Sequence, residues 1–429
     1  MTTAKCALTL LCCLAVGSAV AFPYPLDGYE TTGIRRLQAF QKILAGEWSG
    51  NLRLPPGASL GTADIRLRLA GRPDLEIDLD TARDPELQSG LEAIFSARDP
   101  SYRVAVLDIT RPESPRFAAL RANEGYIPGS VGKLLVMAAL FHQTHLRYPG
   151  HPDRRSEFLK QTLVTADAFT GTDHHRVPIV DEAHRQVHYR PVQPGDRMNL
   201  WEWMDHMVSP SSNSAASLVW KEALLMDRFG ANYPPTEAAA RDFLRTSSPE
   251  ERTERAVRVV RDPLEAAGLR FDSLRVQTFF TRAASRVIPG RSSYATPLEL
   301  LRWLVRLEQG RLVDPWSSLE MKRLLYVTRP RYRYASSPAL ADAAVYFKSG
   351  SLFECEPEEG FRCEPYKGNR QNLMHSVVIV ESPARGENQI VYLVAMMSNV
   401  LRVNSAVEHQ QIAGEIERLL RRGVGSPDK

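Results

Sequence analysis

Apolar residues follow two different periods along this chain. At helical spacing they run through 34–46, 155–166, 199–208, 212–227, 235–246, 250–268 and 296–309, with a closing stretch at 405–421. Asp84 and Pro85 open a further helix ahead of the periodic Leu87, Leu91 and Ile94, an acidic cap followed by proline at the first helical position. Runs rich in β-branched and aromatic residues mark strands at 102–110 (YRVAVLDIT) and, more weakly, 115–120 (PRFAAL), and again at AAVYFKSG, MHSVVIVE and IVYLVAMM near the end. The segments 63–69 (ADIRLRL) and 75–80 (LEIDLD) alternate with period two and are expected to be two half-exposed strands. Strands at both ends around a helical middle imply one α/β sandwich whose sheet is assembled from distant segments.

The chain has 429 residues, 43% of them hydrophobic and 24% charged, enough to bury a sizeable core. Residues 1–21 have one lysine, an apolar run and Ala19-Val20-Ala21, the layout of a cleaved secretory signal, too short for a stable membrane anchor. The mature protein is therefore expected to cross the inner membrane and work in the periplasm. Its net charge of +4, or +3 without Lys5, is too small for nucleic acid. Cys6, Cys12 and Cys13 leave with the leader, so Cys355 and Cys363 remain. With no further cysteines to complete a tetrahedral sulfur site, a disulfide is the better expectation.

Three short motifs carry chemistry. Ser130 and Lys133 stand three apart in GYIPGSVGKLLVMAALF, where small, turn-prone residues meet an apolar helix. A hydroxyl is a poor nucleophile until a base takes its proton, and a buried lysine of lowered pKa is such a base. Alone, the pair is more often a helix cap and a solvated charge, and the tail SPDK matches the same pattern. Two companions change that reading: Ser211-Ser212-Asn213 before a small-residue helix, and Lys348-Ser349-Gly350 at the end of an edge-type strand. In the order SxxK, SxN, K[ST]G, in one exported chain, the sequence resembles the penicillin-recognising serine hydrolases, most closely the class A β-lactamases, over about residues 85–422.

The resemblance implies an antiparallel sheet packed with a helical part (about 134–310), the sandwich of serine β-lactamases and D,D-peptidases. It would occupy 84–423, after an extension at 22–83 of unknown role and before a disordered tail at 424–429. It implies a monomer without cofactor or metal, acting on a small β-lactam or peptidoglycan-derived amide. Ser130 would be the nucleophile and Lys133 its base. Ser211 would relay a proton to the leaving nitrogen, Asn213 would hold the substrate amide, Lys348 with Ser349 would bind its carboxylate, Lys348 would also help keep Lys133 neutral, and Gly350 would line the substrate site. The amides of Ser130 and Ser351 would form the oxyanion hole. A D-alanyl peptidase, or a binding protein for penicillin or peptidoglycan fragments without turnover, stays open as an alternative.

One departure stands out. Members that hydrolyse their acyl-enzyme carry a glutamate in the Ω-loop before a Thr-Pro helix start; here Thr281 falls in its place and Ser285 in that of an asparagine four residues on, with no acidic residue from Gln277 to Thr296. A deacylating carboxylate must come from elsewhere, with Asp272 and Glu299 the candidates, or be absent. Between the first two motifs an insertion at 167–195 holds Asp173, His174, His175, His184 and His188, read as solvated loop histidines in preference to a metal site. Trp201, Trp203 and Met204 read as helix core.

Overall fold

The computed structural model describes residues 25–424, so the expected leader lies outside it. In chain order its principal elements begin with α1 (Arg35–Leu44), α2 (Pro85–Phe95), β1 (Arg103–Asp108), β2 (Arg116–Leu120) and α3 (Lys133–Arg147). There follow β3 (Arg176–Asp181), β4 (Gln186–Pro191), α4 (Leu200–Val208), α5 (Asn213–Phe229), α6 (Arg282–Val287), α7 (Pro297–Glu308) and α8 (Pro315–Tyr326). The chain closes with β5 (Ala344–Glu354), β6 (Gln371–Ser382), β7 (Ile390–Asn399) and α9 (Ala406–Val424).

Five strands form one antiparallel sheet in the order β2-β1-β7-β6-β5. Alternation decides how it is covered. In β1, Val104 and Val106 face one side while Ala105 and Leu107 face the other, and all four are fully buried. The first side is covered by Leu87, Leu91 and Phe95 of α2 and by Ile412, Ile416 and Leu420 of α9. The second is covered by the helices between β2 and β5, with α3 at their centre. Asp84 caps α2 by accepting from Leu87 N at 2.8 Å, as its Asp-Pro start predicts. Trp201, Trp203 and Met204 are core residues of α4, as expected.

Residues 63–69 and 75–80 are not strands. Their alternate positions Ile65, Leu69, Leu75 and Ile77 are buried, but no strand lies alongside. The end of α7 and Gln309 satisfy the backbone instead: Leu69 N donates to Glu308 O, Arg68 N to Glu308 Oε2, and Gln309 Nε2 to Leu75 O. The inserted segment is also more than a loop, because β3 and β4 pair as a hairpin that packs on α1. Cys355 and Cys363 are disulfide-bonded just past β5.

The segment ahead of α2 shares the main core through Ile34, Leu37, Phe40, Leu60 and Leu69. Its polar anchor is Arg36 on α1, which is 1% exposed. The guanidinium meets Asp205 of α4 in two parallel bonds, Nε to Oδ2 at 2.5 Å and Nη2 to Oδ1 at 2.6 Å, and also donates to Val327 O. Beside it Arg35 pairs with Glu202 at 3.0 Å. Removing one partner of a buried ion pair strands the other charge in the interior, so Arg36→Ala is expected to lower the unfolding free energy by about 3–5 kcal/mol in urea titration. Arg36→Met combined with Asp205→Leu should recover most of that loss.

Candidate active site

The chain reaches Ser130 through a tight turn that only small residues permit. Gly129 has φ 53°, and a Cβ there would lie 3.3 Å from both N and O of Ser351 on β5. A Cβ on Gly350 would lie 2.6 Å from Pro128 O. The turn and the edge strand are therefore in backbone contact. The 3₁₀ turn Gly129–Gly132 runs into α3, whose residues from Leu134 to Phe141 are all buried, so Lys133 enters the interior with the helix.

Lys133 is 0% exposed. Its Nζ lies 3.0 Å from Ser130 Oγ, 2.5 Å from Ser211 O, 3.2 Å from Ser211 Oγ and 2.7 Å from Asn213 Oδ1. The second motif arrives from α4, which ends at Val208 and leaves Ser211 with φ 62°, a left-handed backbone that a serine rarely adopts. Ser212 then caps α5 by accepting from Ala215 N. The third motif lies in the middle of β5 instead of at its end. Lys348 Nζ donates to Ser211 Oγ at 2.8 Å and to Ser349 O at 3.1 Å. SxxK, SxN and KSG thus meet at one point, with Ser211 between the two lysines.

Both lysines are held below their usual range. Burial pushes Lys133 down to about 7, against the attraction of the Asp173 carboxylate. Burial, the Lys133 charge and Arg333 push Lys348 well down. Arg333, which the sequence reading passed over, donates to Gly350 O at 2.7 Å from behind β5. Phe280 places its ring 5.1 Å from Lys133 Nζ.

No protein-family model matches the chain, and a comparison with curated proteins finds no match. Solved structures do match. The TLA-3 extended-spectrum β-lactamase aligns with a TM-score of 0.52 at 12% identity, over 79% of this chain and 98% of its own. TLA-1 extended-spectrum β-lactamase gives the same values, and a class A β-lactamase from Bacteroides cellulosilyticus aligns at 0.50 and 13%, over 80% and 98%. The chain has the class A β-lactamase fold.

Within that β-lactamase fold, Thr281 is committed to structure. It is 2% exposed, caps α6, donates from Oγ1 to Phe169 O at 2.6 Å and from its amide to Ser217 Oγ. Glu299 is fully buried and paired with Arg270 and Arg302. Asp272 is exposed on a short turn at 271–273.

The carboxylate that does approach the motifs is Asp173, from the insertion. Its side chain is 1% exposed. Oδ2 accepts from Ser212 Oγ at 2.8 Å and from the amides of Asn213 and Ser214 at 2.8 and 3.0 Å, so it closes the positive end of α5. Oδ1 accepts from the amide and Nδ1 of His175 at 3.1 and 2.6 Å. Burial opposes its charge, yet the His175 bond and these amides hold the carboxyl well below the usual range. The reading of the insertion's histidines as solvated loop residues therefore does not hold for His175, whereas His184 is exposed. Asp173, His174 and His175 bring metal-ligand atoms within 4.8 Å of one another, but both Asp173 oxygens are already taken by the five donors above. An Asp two residues before a His, inside an insertion next to the second motif, was the available signal.

A lysine of pKa about 7 is a base only once it has lost its proton. If Ser130 is acylated through it, the acylation rate should rise about tenfold per pH unit up to pH 7 and level off above. Stopped-flow acylation between pH 5 and 9 should show that limb; a flat profile would remove Lys133 from the proton path.

Proposed function

We propose that the protein is an exported active-site serine hydrolase that opens β-lactams or related cyclic amides through an acyl-enzyme on Ser130. The single observation that carries this reading is the bonding of Lys133. Its neutral amine has two N–H groups and one lone pair. The two shortest contacts, Ser211 O and Asn213 Oδ1, are acceptors and take the two N–H groups. The lone pair is left for a hydroxyl, and Ser130 Oγ stands 3.0 Å away.

Ser130 Oγ then attacks the amide carbonyl carbon as its proton passes to Lys133. The amides of Ser130 and Ser351 receive the oxyanion, each donor worth about 2.7–4 kcal/mol. On collapse the C–N bond breaks, and the proton travels from Lys133 to Ser211 Oγ and on to the leaving nitrogen. Lys348 and Ser349 hold the substrate carboxylate, and Asn213 holds the side-chain amide. Hydrolysis of the ester is the slower half, since Thr281 puts no carboxylate where efficient members carry their glutamate. That slowness favours, as the second reading, a penicillin-binding protein of D-alanyl peptidase type that turns over poorly.

Export is supported by the N-terminal pattern and by the Cys355–Cys363 disulfide, and no helix among the described residues is long and apolar enough to cross a membrane. The described part of the extension, 25–83, is in this reading a brace for α4, and through it for Ser211, in a body formed by 84–423.

Intact-mass spectrometry after incubation with benzylpenicillin should show one penicilloyl adduct on the wild type and none on Ser130→Ala. A chromogenic cephalosporin should give a burst of about one equivalent followed by slow turnover. An adduct persisting on Ser130→Ala would move the nucleophile elsewhere.

A further inference from the structure

The turn at 171–175 lies between the segment that lacks a glutamate and the second motif. On one side Phe169 packs on Phe279 with ring centroids 5.9 Å apart, Thr281 Oγ1 donates to Phe169 O, and Arg282 N donates to Thr172 Oγ1. On the other, Asp173 grips the amides of Asn213 and Ser214. Asn213 is the residue whose Oδ1 holds Lys133. The turn that carries His175 is therefore tied to the Thr281 segment through Thr172 and to Asn213, the partner of Lys133, through Asp173.

Its chemistry suits that place. The Nδ1–H donated to Asp173 Oδ1 at 2.6 Å fixes the tautomer, leaving the Nε2 lone pair to accept a proton. His174 stacks on the ring with centroids 4.6 Å apart and limits its rotation. The side chain is 27% exposed, so water reaches it. Burial keeps the imidazole neutral at pH 7 despite the Asp173 bond, with Lys133 acting in the same direction. A neutral, oriented imidazole beside a buried carboxylate is the arrangement of a general base.

We propose that His175, oriented by Asp173, is the base that activates water to hydrolyse the Ser130 acyl-enzyme. The proposal rests on the acyl-enzyme reading above. Water gives its proton to His175 Nε2 while its oxygen bonds to the ester carbonyl carbon. Collapse of the adduct breaks the bond from that carbon to Ser130 Oγ. The proton passes from His175 through Lys133 to Oγ, which restores the serine and releases the carboxylic acid.

The test separates uptake of a fluorescent penicillin from its loss after free label is removed, in wild type, His175→Ala, His175→Gln and Asp173→Asn. Uptake within about twofold of wild type in the His175 variants would show the fold and acylation intact, while label loss should slow about 10²–10⁴-fold. Added imidazole should restore part of the loss in His175→Ala but not in His175→Gln, where the side chain still fills the space. Asp173→Asn should fall between, its tautomer control weakened. Unchanged loss in both His175 variants would overturn the proposal while leaving the acyl-enzyme in place. Loss abolished by EDTA in the wild type would overturn it in favour of a metal at the Asp173 cluster. A wild type that takes up no label would instead remove the acyl-enzyme reading itself.

Discussion

A lysine amine buried without a carboxylate partner is the constraint around which this molecule is arranged. Desolvating an ammonium is costly unless it is paired or gives up its proton. Lys133 is surrounded by the neutral oxygens of Ser130, Ser211 and Asn213, so the surroundings favour the neutral amine. Those oxygens come from the turn before α3, the loop between α4 and α5 and the first residue of α5, while Lys348 on β5 brings a second amine to Ser211. The relative placement of three distant segments is thus set by the needs of one nitrogen.

The polar interactions outside that point serve its geometry. The backbone carbonyls of Asp205 and His206 in α4 accept from Ser209 N and Ser212 N, and Arg36 ties the Asp205 carboxylate to α1. The left-handed Ser211 is therefore flanked by two backbone bonds to α4, the helix that Arg36 joins to α1. Asp173 does the same from the other direction, since SSN has no acidic residue of its own to close the positive end of α5. Strain at Ser211 persists because both flanks leave the backbone no alternative.

Period and punctuation disclosed most of this fold. The strands β1, β2, β5, β6 and β7 and the long helices announce themselves by spacing, and the three motifs were readable because each sits at a turn, a cap or a strand. What escaped did so for physical reasons. Alternation at 63–69 reports burial of one side, which the end of α7 provides as well as a strand would. The helix α8 starts with Asp314-Pro315, the signal that Asp84-Pro85 gives for α2, but its polar and apolar residues alternate too irregularly to show a face. Asp173 and His175 could not be placed because their roles depend on Ser212 and Asn213, about forty positions later, and no local pattern encodes that meeting.

The pairing of β1 with β7 has a kinetic consequence. Val104 lies opposite Met396, and β1 has only the short edge strand β2 on its other side. Bringing such remote segments together must bear its loop-closure entropy before the contacts reward it, which makes this a topology of high contact order and slow folding. During synthesis the middle of the sheet stays open until nearly the whole chain has been made. An N-terminal fragment ending before β5 would hold Ser130 and Lys133 but neither Lys348 nor a closed sheet behind them, so no truncated product can be a partly active one.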